Sequence, residues 1–152
     1  MSAALPDTAA RQHWMSVLAR ASVAEISARL AAATPLPAHR VLRGPEIGLV
    51  MLRGRAGGAG GPFNLGEMTV TRCTVRDSDG RVGHATVTGR DRAQAELAAR
   101  LDAALQSPDL GPALQSVVIA PLAEAQRAAR ARRARQAAAT RVQFFTMATM
   151  RS

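Results

Sequence analysis

The run Thr34-Pro35-Leu36-Pro37 divides this chain more sharply than any other feature. Each proline lacks a backbone donor and pushes its predecessor out of the helical region, so a helix arriving from the N-terminal side stops here. Apolar residues ahead of the break recur at helical spacing. Behind it, as far as Thr88, the pattern is that of strands, and helical spacing returns at Asp91. Such segregation predicts an α+β fold.

Ahead of the break, Trp14, Val17 and Leu18 form one face of a helix that follows Asp7-Thr8. Ser22-Val23-Ala24-Glu25 has the spacing of a capping box, and Val23, Ile26 and Leu30 make the apolar face of the second helix. Behind the break, Val41–Arg43 reads as a short strand, Gly44-Pro45 as a turn, and the apolar run Ile47–Leu52 as a buried strand. The glycine-rich stretch Gly54–Pro62 reads as a loop. Glu67–Arg76, the turn Asp77-Ser78-Asp79-Gly80 and Arg81–Thr88 read as a hairpin. The expectation is an antiparallel meander of about four strands.

Asp91 then caps a helix with the stripe Leu97, Leu101 and Leu105, which Pro108, Gly111 and Pro112 end. After a short apolar segment, Leu114–Ile119, a long helix is expected from about Leu122 to Val142, ending near Phe144-Phe145. Arg127, Arg130, Arg132, Arg133 and Arg135 spread round its circumference, so it is either solvated or docked on another molecule. The domain expectation is one unit over residues 1–152, with 122–152 a helical arm docked on partners.

Composition narrows the chemistry. The 152 residues suffice for one core, but with three Phe, one Trp and no Tyr it must be built mainly from Ala, Leu, Val, Ile and Met. The formal charge is +9 and every basic residue of the Lys/Arg class is Arg. Without lysine, neither Schiff-base catalysis nor a Walker A phosphate loop is open to the chain. One cysteine, Cys73, excludes an internal disulfide framework and a cysteine-rich zinc site and fits a reducing compartment. No stretch is apolar enough to span a membrane, and Met1–Asp7 has no basic segment followed by an apolar run, so a cytoplasmic location is expected.

Motifs for catalysis are weak. The stretch Gly57–Pro62 lacks the third glycine of a dinucleotide fingerprint and leads into a strand, so it reads as a hairpin loop. His13, His39 and His84 lie on three different elements without metal-ligand spacing. Cys73 and His84 sit on facing strands, which leaves open a thiol–imidazole pair beside the plainer reading of Cys73 as a small buried hydrophobe. Gly89-Arg90-Asp91 offers an anion site at a helix start, or an ion-paired Arg beside an Asp cap. The arginine run could meet nucleic-acid phosphates, but no aromatic residue interleaves it and no nucleic-acid motif accompanies it.

Several segments in register carry a resemblance. Arg11-Gln12-His13-Trp14-Met15-Ser16-Val17-Leu18-Ala19, Phe63-Asn64-Leu65-Gly66-Glu67, Thr71-Arg72-Cys73, Gly80 and Gly83 with Gly89-Arg90-Asp91, Ile119-Ala120-Pro121-Leu122, and Arg141-Val142 followed by Phe144-Phe145-Thr146-Met147 are similar to the PhnG family, small subunits of bacterial carbon–phosphorus lyase systems. His84 stands where relatives often carry Tyr, and the C-terminal helix is richer in Arg than the family pattern.

The resemblance implies an accessory subunit that assembles, in more than one copy, with PhnI-, PhnH- and PhnJ-like partners. It implies an activity of the whole assembly, in which a phosphonate displaces adenine from ATP to give a ribose 1-phosphonate 5-triphosphate. It also implies an iron–sulfur cluster with S-adenosylmethionine on another subunit. No catalytic, cofactor-binding or metal-binding residue of this chain follows from it. The candidate partner interface is Phe144, Phe145, Thr146 and Met147 with Gly57, Gly58, Gly60 and Gly61. Glu67, Arg72 and Arg90 are candidates for anion contacts or for a site shared with a partner, because Arg forks suit phosphate and phosphonate oxygens.

Overall fold

A computed structural model describes residues 7–55 and 60–140. The helices are α1 (Thr8–Leu18), α2 (Val23–Leu30), α3 (Arg92–Leu105), α4 (Gly111–Leu114) and α5 (Ala120–Ala139), and the strands are β1 (His39–Arg55), β2 (Pro62–Asp77) and β3 (Val82–Thr88). The strands form one antiparallel sheet in the order β1-β2-β3. With the helices this is the expected α+β architecture, ending in a long helix.

The helix starts follow local chemistry. Asp7 Oδ1 accepts from the Ala9 N–H, and Ser22 and Glu25 form the reciprocal capping box. Asp91 Oδ1 accepts from the Gln94 N–H at 2.9 Å. The Gln94 side chain does not reach back to its own cap. It donates to the carbonyls of Ala19 and Ala21 and ties α3 to the end of α1.

Three strands replace the expected meander of about four, because Val41–Arg43 and Ile47–Leu52 belong to one strand. Gly44-Pro45 is no turn: the β1–β2 register shifts on either side of Arg43, and the strand carries on through an irregularity. A bulge accommodates a proline, which has no N–H for the ladder. Gly44 is required there, with φ of +79° and space for a Cβ only 2.4 Å from the Arg72 carbonyl oxygen. The glycine stretch shortens too, since Gly54, Arg55 and Pro62 lie within strands and Gly57 and Gly58 fall outside the described residues.

Helices cover one face of the sheet. α3 packs across β2 and β3, and α1, α2 and the start of α5 close the core behind it. Trp14, Val17, Leu18, Ile26, Val75 and Leu101 are buried there. Gly83 lets α3 lie directly on β3, for a Cβ at that position would stand 1.9 Å from the Ala99 carbonyl oxygen. α3 ends at Leu105, ahead of Pro108, but Gly111-Pro112 open α4 instead of breaking α3, and the segment Leu114–Ile119 is helical. Gln115–Ile119 is a widened π-type turn that joins α4 to α5, with the Ala120 N–H reaching the Gln115 carbonyl. The extra width takes up the ring of Pro121, which would otherwise crowd the turn before it. From residue 131 to 140 every side chain of α5 and its cap is exposed. Phe144, Phe145, Thr146 and Met147 lie outside the described residues.

Candidate functional site

Four places on the chain combine charge or apolar surface with defined geometry. The first is internal. Asp102, in the last turn of α3, is fully buried at 0% exposure. Its Oδ1 accepts from Trp14 Nε1 at 2.8 Å and from Arg11 Nε at 3.1 Å, and its Oδ2 accepts from Arg11 Nη2 at 2.7 Å and from the His84 N–H at 2.8 Å. Four donors on a carboxylate satisfy it completely, as a buried charge requires. Arg11 also reaches the Val82 carbonyl, which Gln106 shares. The network joins α1, β3 and α3 and gives Arg11 and Trp14 a structural task. Sequence reading missed Asp102, although a carboxylate between Leu101 and Ala103 in the core stripe was the available signal.

The second is the helix-free face of the sheet. Alternation along β2 and β3 turns Arg72, Thr74, His84 and Thr86 to this side. With Arg43 and Glu46 they line a shallow cavity of about 160 Å³. His84 Nδ1 and Thr74 Oγ1 are 3.1 Å apart, and Arg43 pairs with Glu46 at 2.9 Å. Cys73 points to the opposite side, buried among core residues. It pairs across the ladder with Ala85, whereas His84 pairs with Thr74, so the thiol and imidazole lie on opposite faces and form no nucleophile–base pair. Burial, and then the negative charge of Glu96, push the Cys73 thiol above its ordinary range, against the partial offset of a backbone hydrogen bond. His39 pairs with Glu96 at 2.9 Å, and His13 is exposed.

Glu67, Arg72 and Arg90 stand apart. Glu67 lies out along β2 opposite Met51, Arg72 lies opposite Glu46, and Arg90 is exposed just ahead of the Asp91 cap. Among the described residues no hydrogen bond or ion pair joins any two of them. Gly60 and Gly61 are exposed at the start of β2.

The third place is the far half of the β1–β2 hairpin. β3 pairs only with residues 70–76 of β2, so 62–68 of β2 and the matching end of β1 run on as a two-stranded ribbon. Leu49, Met51, Leu52, Phe63 and Leu65 on this ribbon are all exposed, Leu49 by 56% and Leu65 by 61%, and Ile47 is exposed just ahead of it. The apolar run Ile47–Leu52 is therefore not the buried strand that its composition predicts. Strand content was correct, but no helix lies over this part of the sheet.

A basic groove runs between α1 and α5. Gln126 Nε2 donates to the Val17 carbonyl at 2.9 Å and fixes the helices together, while His13, Arg20, Arg127 and Arg130 line a space of about 400 Å³. Arg127 is ion-paired with Glu124. Arg133 extends the groove one turn further along α5.

Comparison with known proteins decides the family. The model of the family described as "Phosphonate metabolism protein PhnG" matches residues 9–150. The chain belongs to the PhnG family. Among PhnG proteins it is 48% identical over 143 residues to the alpha-D-ribose 1-methylphosphonate 5-triphosphate synthase subunit PhnG of Rhizobium meliloti strain 1021, an overlap of 91% of this chain and 88% of that one. The match to the family model takes in Arg11, Trp14, Gly83 and Asp102, the residues that lock α1 and α3 onto the sheet. Among the described residues, no helix is long and apolar enough to cross a membrane.

Proposed function

We propose that this chain is an accessory subunit of a carbon–phosphorus lyase core assembly. There it supports the displacement of adenine from ATP by a phosphonate, which gives a ribose 1-phosphonate 5-triphosphate in phosphonate catabolism. The relationship to a subunit of ribose 1-methylphosphonate 5-triphosphate synthase carries this reading. The exposed apolar ribbon supports it, since contiguous apolar surface on a water-facing chain marks a contact site. PhnI-, PhnH- and PhnJ-like chains are the proposed partners, with this chain present in more than one copy and a cytoplasmic location.

ATP enters this reading as the assembly's substrate. The iron–sulfur cluster and S-adenosylmethionine belong to another subunit. A cluster needs three or four thiolates, and this chain has a single cysteine, buried in its core, so it does not fit that group.

A second reading rests on the cavity of the open sheet face. Arg43 and Arg72 there, with Arg90 just past the end of β3, could lend guanidinium groups to a polyanion held mainly by a partner. Arg72→Ala and Arg90→Ala separate the readings. Turnover falling about tenfold or more with the assembly intact supports the shared site. Unchanged turnover leaves the chain purely architectural.

The accessory role is tested in the native host. A strain lacking this chain should not grow on a phosphonate as sole phosphorus source but should grow on phosphate, and the tagged chain should copurify with the remaining lyase subunits. Normal growth on the phosphonate would contradict the proposal.

A further inference from the structure

The groove between α1 and α5 is basic along its whole length. Its first stretch, about 400 Å³, lies against His13, Arg20, Arg127 and Arg130, and its second, about 390 Å³, against Arg20, Arg130 and Arg133. Arg20, Gln126 and Arg130 line both, so the two stretches are continuous. No carboxylate lines either one. α1 carries no acidic residue, and α5 carries one, Glu124, against five arginines. Glu124 is ion-paired with Arg127. Among the described residues, Arg20, Arg130 and Arg133 enter no ion pair.

The arginines of α5 divide by side. Arg127, Arg130 and Arg133 line the groove, whereas Arg132 and Arg135, at about 100° per residue, fall on the opposite side of the helix. Residues three apart on a helix are neighbours, and like charges there repel. An anion laid along the groove relieves that repulsion. The floor beneath is small and apolar, made by Val17, Ala123 and Ala129, so another backbone can come close. The hydrogen bond from Gln126 to the Val17 carbonyl holds both walls in place beforehand.

Spacing selects the occupant. Successive arginines of the row are about 4.5 Å apart along the axis, three residues at the helical rise. Carboxylates at intervals of three or four residues on another α-helix recur at the same rise. Residues on one side of an extended peptide stand about 6.7 Å apart and fall out of register. Single-stranded nucleic acid calls for stacking aromatics, and none lines the groove. Neither this chain nor a second copy supplies an acidic row. On the described helices Glu25 is held in its capping box, Glu96 pairs with His39, Asp102 is buried and Glu124 is paired. Residues 1–6 and 141–152 contain no Asp or Glu.

We infer that the α1–α5 groove receives an acidic amphipathic helix of a different protein subunit, with its carboxylates on Arg20, Arg130 and Arg133 and its apolar positions on the alanine floor. This rests on the assembly reading above and gives one contact its chemistry.

The test uses the full chain in the assembly purified from its host. The chain has no lysine, so Arg130→Lys and, separately, Arg133→Lys each place a single side-chain amine on it and keep the charge. A zero-length carbodiimide cross-link should join that amine to an Asp or Glu of another subunit, within a helix whose carboxylates recur every three or four residues. Arg130→Glu with Arg133→Glu should weaken assembly by about tenfold or more. Arg132→Glu with Arg135→Glu makes the same change in net charge on the far side of α5 and should leave assembly within about twofold. Thermal melts of the free chains check their folding, and the cross-link does not depend on the reversed-charge variants. Equal weakening by both pairs reduces the effect to net charge and overturns the inference. So does an intact assembly without the cross-link, or a cross-link to a strand, a loop or a second copy. Nucleic acid bound by the free chain and lost in Arg130→Glu with Arg133→Glu, with assembly unaffected, overturns it in favour of nucleic acid. A partner recovered with the groove left free sinks this inference alone. If no partner is recovered at all, the assembly reading fails together with it.

Discussion

Trp14 and Asp102 meet in the core: the indole Nε1–H donates to Asp102 Oδ1 at 2.8 Å, with the carboxylate wholly out of solvent. Arg11, one turn back on α1, donates to both oxygens of the same carboxylate. Asp102→Asn keeps the shape but removes the charge opposite Arg11 and turns an N–H₂ toward groups that are themselves donors. The expected loss is about 3–5 kcal/mol of unfolding free energy, as for breaking a buried pair by one partner. Chemical denaturation followed by Trp14 fluorescence measures it, and a change within about 0.5 kcal/mol would contradict this role.

Gly83→Ala should destabilise by about 1–3 kcal/mol, because its Cβ would press on the Ala99 carbonyl and the Ala103 N–H of α3. Gly61→Ala, at a position with no atom within 4 Å of a Cβ, serves as the control and should leave the melting temperature nearly unchanged.

The capping box of α2 has a pH signature. Hydrogen bonds from the Ser22 backbone N–H, then from its hydroxyl, lower the Glu25 carboxyl below its ordinary value. A carboxyl lowered on folding contributes stability above its unfolded value and loses it as pH falls through the folded value. Ser22→Ala should therefore cost about 1 kcal/mol near neutral pH, and the difference should shrink in acid below the carboxylate range. Thermal melts of both proteins across pH would show it.

Cys73 should alkylate slowly in the folded chain. Burial and the charge of Glu96 hold the thiol protonated beyond its usual range, and the thiolate is the reactive form. A group whose value is raised on folding gives stability at low pH that is lost as pH rises from the unfolded toward the folded value. Melting should thus weaken above about pH 8.5, where an unfolded cysteine ionises. Iodoacetamide labelling near neutral pH, with and without denaturant, checks the first point. Equal rates would contradict a buried thiol.

Local chemistry was readable from sequence and long-range relations were not. The Ser22 and Asp91 caps and the Asp77–Gly80 turn depend on residues within a few positions of one another, and all three form as expected. Asp102 escaped notice because its partners Trp14 and Arg11 lie 88 and 91 positions away. Gly44-Pro45 has the composition of a turn, and only the facing strand shows that β1 continues past it. The apolar run Ile47–Leu52 reads as strand correctly, but periodicity carries no information on whether another element covers it. Of the candidate site, Arg72 was found through its residue type and its place on a strand. Arg43, Glu46 and Thr86 join it only through the cross-strand register.

The central claim is that the chain is needed by an assembly that acts on ATP and a phosphonate. Adenine release from ATP plus methylphosphonate, measured for the purified assembly and for the same subunits prepared without this chain, tests it most directly. The account predicts release from the complete assembly, loss of release without the chain, and none from the chain alone. Undiminished release in its absence would contradict it.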